Sequence, residues 1–215
     1  MDYPDDYINK IICGDCLEVM KGIPDGAVDL VLTDPPYGID IASVGYVGRS
    51  NSAKCREYER SDWDKSPMSQ EQFNEICRVG VNQIVFGGNY FNVPPSRCWL
   101  VWDKDNTGNF ADCELAWSSM NTSVRRYRYR WNGMLQEKMG NKKEVRVHPT
   151  QKPLPVMQWA ISQAPDDCDI ILDPFCGSGT TCVAAKQLGR KYIGIEINPD
   201  YCKIAEDRLR QEELF

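Results

Sequence analysis

The sequence predicts an α/β domain, doubly wound, with a mainly parallel sheet and helices on both faces. Short apolar runs that read as strands alternate with segments of helical spacing. The run at 28–33 (VDLVLT) is apolar almost throughout, as expected of a parallel strand buried on both faces. Four acids, Asp15, Asp34, Asp173 and Glu196, fall at or just beyond strand ends. Ligands of such sheets bind at the carboxyl ends of the strands.

Each element has its own signal. Ile11-Ile12-Cys13 is a short strand ending at Gly14-Asp15, and 16–22 reads as a helix. A Pro24-Asp25-Gly26 turn precedes the 28–33 strand, which Asp34-Pro35-Pro36-Tyr37 terminates. Residues 38–66 lack periodicity and read as a long loop. A helix over 69–80, a strand over 83–86, a Gly87-Gly88-Asn89 turn and a strand over 98–102 follow. The spacing predicts a helix over 111–120, a strand over 123–131 and polar loop over 132–147. The last third reads as helix 153–163, strand 169–172, helix 181–188, strand 191–197 and helix 199–213. The 215 residues thus suit one domain.

Composition excludes several classes. The net charge of -6 rules out a uniformly basic coat, though not a local basic patch. No apolar run approaches a membrane span, and the acidic start, Asp2 to Asp6, is unlike a signal peptide. Ten scattered cysteines suggest reduced thiols and a cytoplasmic protein. A single histidine, His148, excludes a multi-histidine metal centre, so no metal is expected. Cys13-x-x-Cys16 stands alone, with no second pair at metal-ligand spacing.

Three segments carry chemistry. In Asp173-Pro174-Phe175-Cys176-Gly177-Ser178-Gly179-Thr180, glycines between a strand and a helix either make a tight turn or let backbone approach a ligand. The spacing matches neither the dinucleotide fingerprint nor a Walker loop. Glu196, 23 residues after Asp173, sits where an acid commonly holds ribose hydroxyls. Together they suit an adenosine-containing cofactor without a phosphate chain, since the glycine loop has no Lys or Arg. In Asp34-Pro35-Pro36-Tyr37, the carboxylate and the Pro35 carbonyl could accept from one amino group while Tyr37 stacks on the ring bearing it.

Asp34-Pro35-Pro36-Tyr37 with the 173–180 segment resembles the S-adenosylmethionine-dependent DNA amino-methyltransferases of the N6-adenine and N4-cytosine group. His148-Pro149-Thr150-Gln151-Lys152-Pro153 resembles that family's motif X. The motif order, together with Gly14-Asp15-Cys16, looks like the circularly permuted β class. The resemblance covers residues 8–40 and 146–210. It implies a seven-stranded Rossmann-like methyltransferase sheet. Phe175, Gly177 and Gly179 would shape the cofactor pocket, with Cys176, Ser178, Thr180 and Asn198 beside them. Asp173 would lie near the methionine moiety, Glu196 on the ribose, and Asp15 with Cys16 at the cofactor adenine. Thr150 and Lys152 would hold the methionine carboxylate. Asp34, Pro35, Pro36 and Tyr37 would receive a base flipped out of a duplex. Asp at the motif's first position favours adenine over cytosine.

Nucleic-acid contacts are expected from two segments. Residues 122–148 hold eight basic side chains against two acids, among them Arg125, Arg126, Arg128, Arg130, Lys142 and Lys143. Arginines interleaved with aromatics suit phosphates and bases, or guard an edge strand. Arg49, Lys54 and Arg56 lie in the 38–66 loop. Asn89-Tyr90 either lines the base pocket or finishes a turn. The expected partner is double-stranded DNA. A homodimer is implied by the β-class resemblance. The competing readings are N4-cytosine methylation, RNA adenine methylation and a catalytically silent nucleic-acid-binding subunit.

Overall fold

A computed structural model describes residues 1–39, 66–106, 111–132, 135–140, 143–147 and 150–211. Strand β1 (Lys10–Cys13) leads into helix α1 (Cys16–Met20). Asp15 caps that helix, its Oδ1 accepting from Leu17 N at 2.9 Å and Glu18 N at 3.2 Å. Strand β2 (Val28–Thr33) is buried along nearly its whole length, as its apolar run requires. Helix α2 (Gln70–Val79) opens on a capping box between Ser69 and Gln72 and buries Phe73, Ile76 and Val79 at helical spacing. Next come β3 (Gly80–Phe86), a 3₁₀ turn at Gly88–Tyr90, β4 (Cys98–Asp103), β5 (Cys113–Ser118) and β6 (Arg125–Arg128). A small hairpin, β7 (Trp131–Asn132) with β8 (Leu135–Gln136), precedes α3 (Leu154–Ile161). The chain closes with β9 (Ile170–Asp173), α4 (Thr180–Gln187), β10 (Lys191–Glu196) and α5 (Pro199–Gln211).

The large sheet runs β1-β10-β9-β2-β3-β5-β4-β6. Every pairing is parallel except those of β5, which is antiparallel to both β3 and β4. Successive residues point to opposite faces. Leu30 and Leu32 of β2 join a core with α3 and α4, whereas Val31 joins a core with α1 and α2. Helices therefore cover both faces, as the doubly wound expectation holds.

Three expectations are corrected. The sheet has eight strands where seven were expected. Residues 113–118 form β5 and not a helix: Trp102 pairs with Glu114 and Phe86 with Ala116, so ladder pairing overrides the helical propensity of Glu, Leu and Ala. The 132–147 segment contains the second strand of the β7–β8 hairpin, with Trp131 opposite Gln136. Arg49, Lys54, Arg56, Lys142 and His148, with most of the 38–66 loop, lie outside the described residues.

Candidate active site

The sheet changes winding direction between β9 and β2, the place where open α/β sheets bind ligands. The two signature segments leave the sheet side by side there. Asp173, at the end of β9, is buried. Its Oδ1 accepts from Thr33 Oγ1 at 2.7 Å and from Phe175 N at 3.1 Å, and its Oδ2 from Thr181 Oγ1 at 2.5 Å. Burial raises its carboxyl to about 6, against the pull of those hydrogen bonds.

A cavity of about 400 Å³ opens over these strand ends. Asp15 and Cys16 line it from the β1 end, Asp34 and Pro36 from the β2 end, and Thr150 and Lys152 from the segment before α3. Phe175, Cys176, Gly177, Ser178 and Thr180 line it from the glycine loop, with Asp173 behind them. Glu196 and Asn198 close it at the β10 end. All four strand-end acids therefore share one rim. Glu196 accepts from Gly177 N at 2.9 Å and Asn198 N at 2.8 Å, so one carboxylate ties the loop to the neighbouring strand. Burial raises its pKa, and the backbone N–H groups oppose the rise.

Gly179 stands outside the lining. Its φ is +78°, and an added Cβ would lie 2.8 Å from Ala205 Cβ, so glycine there serves the approach of α5. Arg208 of α5 braces the same loop, its Nη1 donating to Ser178 O at 2.7 Å and Thr180 Oγ1 at 3.0 Å. Gln151 and Glu144 pin the segment carrying Lys152. Gln151 donates to Glu144 Oε1 at 2.8 Å, and Glu144 Oε2 accepts from Leu154 N at 3.1 Å.

Asp34 is held on both oxygens. Tyr37 Oη donates to Oδ1 at 2.6 Å, and the Lys152 ammonium bonds Oδ2. Lys152 is only 8% exposed, too buried to keep its charge without partners. Its second carboxylate is Glu114, whose Oε2 is 3.1 Å from Nζ, and Lys104 pairs with the other oxygen of Glu114. Burial works against the Lys152 charge, but Asp34 and Glu114 outweigh it and hold its pKa above the ordinary lysine range. Burial raises Asp34, with Lys152 opposing. Burial also acts on Glu114, but Lys152 and Lys104 prevail and lower it.

Tyr37 and Pro35 do not line the cavity. The Tyr37 ring stacks on Tyr90, centroids 4.8 Å apart and planes 13° from parallel, and meets Phe91 edge-on at 6.0 Å. Gly87 makes room for it: φ is +70°, and a Cβ would lie 2.1 Å from a Tyr37 ring carbon. Tyr90 thus packs against the aromatic of the Asp-Pro-Pro-Tyr segment, while Asn89 does not line the cavity.

The basic strand is exposed at the sheet edge, with Arg128 and Arg130 both paired to Asp105 and Arg126 3.9 Å from Asp103. Arg125 and Arg130 are exposed and Lys143 half-buried. Sequence reasoning missed Glu114 and Lys104, and the lining residues Gln72, Gln151, Met157 and Tyr201. The only sequence signal for Glu114 was an acid in a run whose strand character was not recognised. Among the described residues no acidic, cysteine or histidine cluster could hold a metal, and no helix is long and apolar enough to cross a membrane.

Residues 53–207 match a family model described as DNA methylase, of the N6/N4 group. The chain is 28% identical over 255 residues to the Type II methyltransferase M.HinfI of Haemophilus influenzae, covering 96% of this chain and 69% of that one. Among solved structures it resembles an M1.HpyAVI–SAM complex at a TM-score of 0.53 and 25% identity, covering 93% of this chain and 98% of the other. It shares its fold with the cytosine-N4-specific PvuII DNA methyltransferase, TM-score 0.59 at 16% identity, covering 92% and 85% of the two chains.

Proposed function

The chain belongs to the N6/N4 DNA methylase family, and from that premise we propose that it methylates the N6 amine of an adenine flipped out of duplex DNA. S-adenosylmethionine is the methyl donor in this reading and supplies an electrophilic methyl group. The cavity suits it. Glu196, whose carboxylate accepts from the backbone N–H groups of Gly177 and Asn198, keeps lone pairs for ribose hydroxyls. Lys152 and Thr150 both line the cavity and would offer a cation and a hydroxyl to a carboxylate. The glycine loop carries no cation that a phosphate would call for.

One observation carries the reading: Asp34, directly after β2, lies on the rim of the cavity that Glu196 and the glycine loop share. The adenine amine is a weak nucleophile because its lone pair is delocalised into the ring. Asp34, with the Pro35 carbonyl, would accept its N–H bonds and localise that pair. The extruded base would stack on the aromatic pair that Tyr37 forms with the exposed Tyr90. Catalysis is then positioning and electrostatics, with no covalent enzyme intermediate. The motif order supports the circularly permuted β class, and with it a homodimer. The basic β6 edge supports duplex DNA as partner.

The test is transfer of labelled methyl groups to unmethylated duplex DNA, with nucleosides identified by mass and Asp34→Asn run alongside. N6-methyladenine that is lost in the variant is the expected result. N4-methylcytosine would replace the adenine assignment within the same family. Cofactor binding with no methylated DNA base would overturn DNA as the substrate.

A further inference from the structure

The sequence motifs account for Asp34 and Lys152 but assign nothing to the charges behind them. Glu114 lies on the one antiparallel strand of the large sheet, opposite Trp102 in register, one step from the strand end that leads to Lys104. The result is a line of alternating charge: Lys104, Glu114, Lys152, Asp34, closed by the Tyr37 hydroxyl. Lys104 and Glu114 are about four-fifths buried, 19% and 22% exposed, so this is not a surface pair with solvent to replace either member. An aliphatic amine on a four-carbon stem fixes nothing by itself, because it turns freely. Two carboxylates gripping one ammonium do fix it.

We propose that Glu114 is a positioning residue for the reaction. Backed by Lys104, it holds the Lys152 ammonium against Asp34 and so orients the carboxylate that receives the target amine. Glu114 touches neither substrate nor cofactor in this role; it acts through Lys152. The inference rests on the function proposed for Asp34, and its test separates the two.

The groups facing Asp34 are Lys152 and Tyr37 in direct contact, Glu114 behind Lys152, and Asp173 across the strand ends. Their charges give the test its signs. Replacing Glu114 by Gln removes a negative charge near Asp34, so Asp34 should titrate at lower pH. Replacing Lys104 by Met leaves Glu114 less compensated, so Asp34 should titrate at higher pH.

The experiment follows the Asp34 carboxyl by carbon-detected NMR across pH in the cofactor-free protein, wild type against E114Q and K104M. Methyl-transfer pH profiles of the same proteins run in parallel. Opposite displacements in the two variants are expected, in the NMR titration and on the acidic limb of kcat. In E114Q, kcat should fall about tenfold, as loss of positioning costs. Wild-type titration of Asp34 in both variants would overturn the proposal, as would displacement of both in one direction. If E114Q does not fold, K104M alone decides by the sign of its displacement. Opposite NMR displacements in the two variants, with no methyl transfer by the wild type, would fail the function proposed for Asp34 and leave the charge line standing.

Discussion

Thr33 donates its hydroxyl hydrogen bond to Asp173 Oδ1 at 2.7 Å, joining the ends of β2 and β9 across 140 residues of sequence. This bond connects the strand bearing the Asp-Pro-Pro-Tyr segment to the strand bearing the glycine loop. Thr181 completes the grip from the first turn of α4. The position of Asp34 relative to the glycine loop is therefore set by a buried polar contact as well as by sheet pairing.

Asp173 makes that contact at a cost that depends on pH. Its carboxyl is raised by burial from 3.8 to about 6. Between those values the folded state binds more protons than the unfolded chain. Stability from this group is thus complete below about 3.8 and is lost as pH rises through about 6. Asp173→Asn should abolish the penalty. By denaturant unfolding, its stability relative to wild type should improve by about 2–3 kcal/mol between pH 4 and pH 8. A difference between the two proteins that is constant with pH would contradict the buried-acid account.

Glu196 bridges Gly177 N and Asn198 N and faces the cavity. Glu196→Gln keeps the shape but removes the charge and turns one of the two acceptor oxygens into a donor amide. The dissociation constant for S-adenosylmethionine, read by calorimetry, should rise about 10- to 100-fold, the loss of a charged hydrogen-bond partner. An unchanged constant would remove Glu196 from the cofactor site.

The strand ends were the legible part of this molecule. A buried parallel strand announces itself by an apolar run, and an acid or proline marks where it stops, so β2, β9, β10 and the four rim acids could be read locally. β5 could not. Glu114-Leu115-Ala116 favours helix by propensity, and its strand identity comes from partners 12 to 30 residues away. With β5 went Glu114. The acid partner of Lys152 was equally hidden, because a lysine at a helix start is ordinary until a fold brings Asp34 to it from 118 residues away.

Arg128 of β6 and Arg130 just beyond it are already engaged within the protein, since they share Asp105. DNA phosphates bound there would compete with that aspartate. The triple variant R126Q/R128Q/R130Q should reduce the slope of log affinity against log salt by up to about 3. Asp105→Asn should act the other way and tighten binding at low salt. Fluorescence anisotropy with a duplex at several salt concentrations reads both. A slope unchanged by the triple variant would make the strand an edge guard only.

The strand order also fixes a timetable for the growing chain. β2 lies between β3 and β9 in the sheet, yet β9 follows it by more than a hundred residues. On the ribosome, β2, β3, β5, β4 and β6 can pair while the far side of β2 has no neighbour. The most continuously apolar strand is then an open edge, the kind that recruits other chains. Any product that stops short of residue 170 keeps that edge bare. Incomplete chains should therefore collect as aggregates, and the arrival of β9 both protects the nascent protein and builds the floor on which its ligand rests.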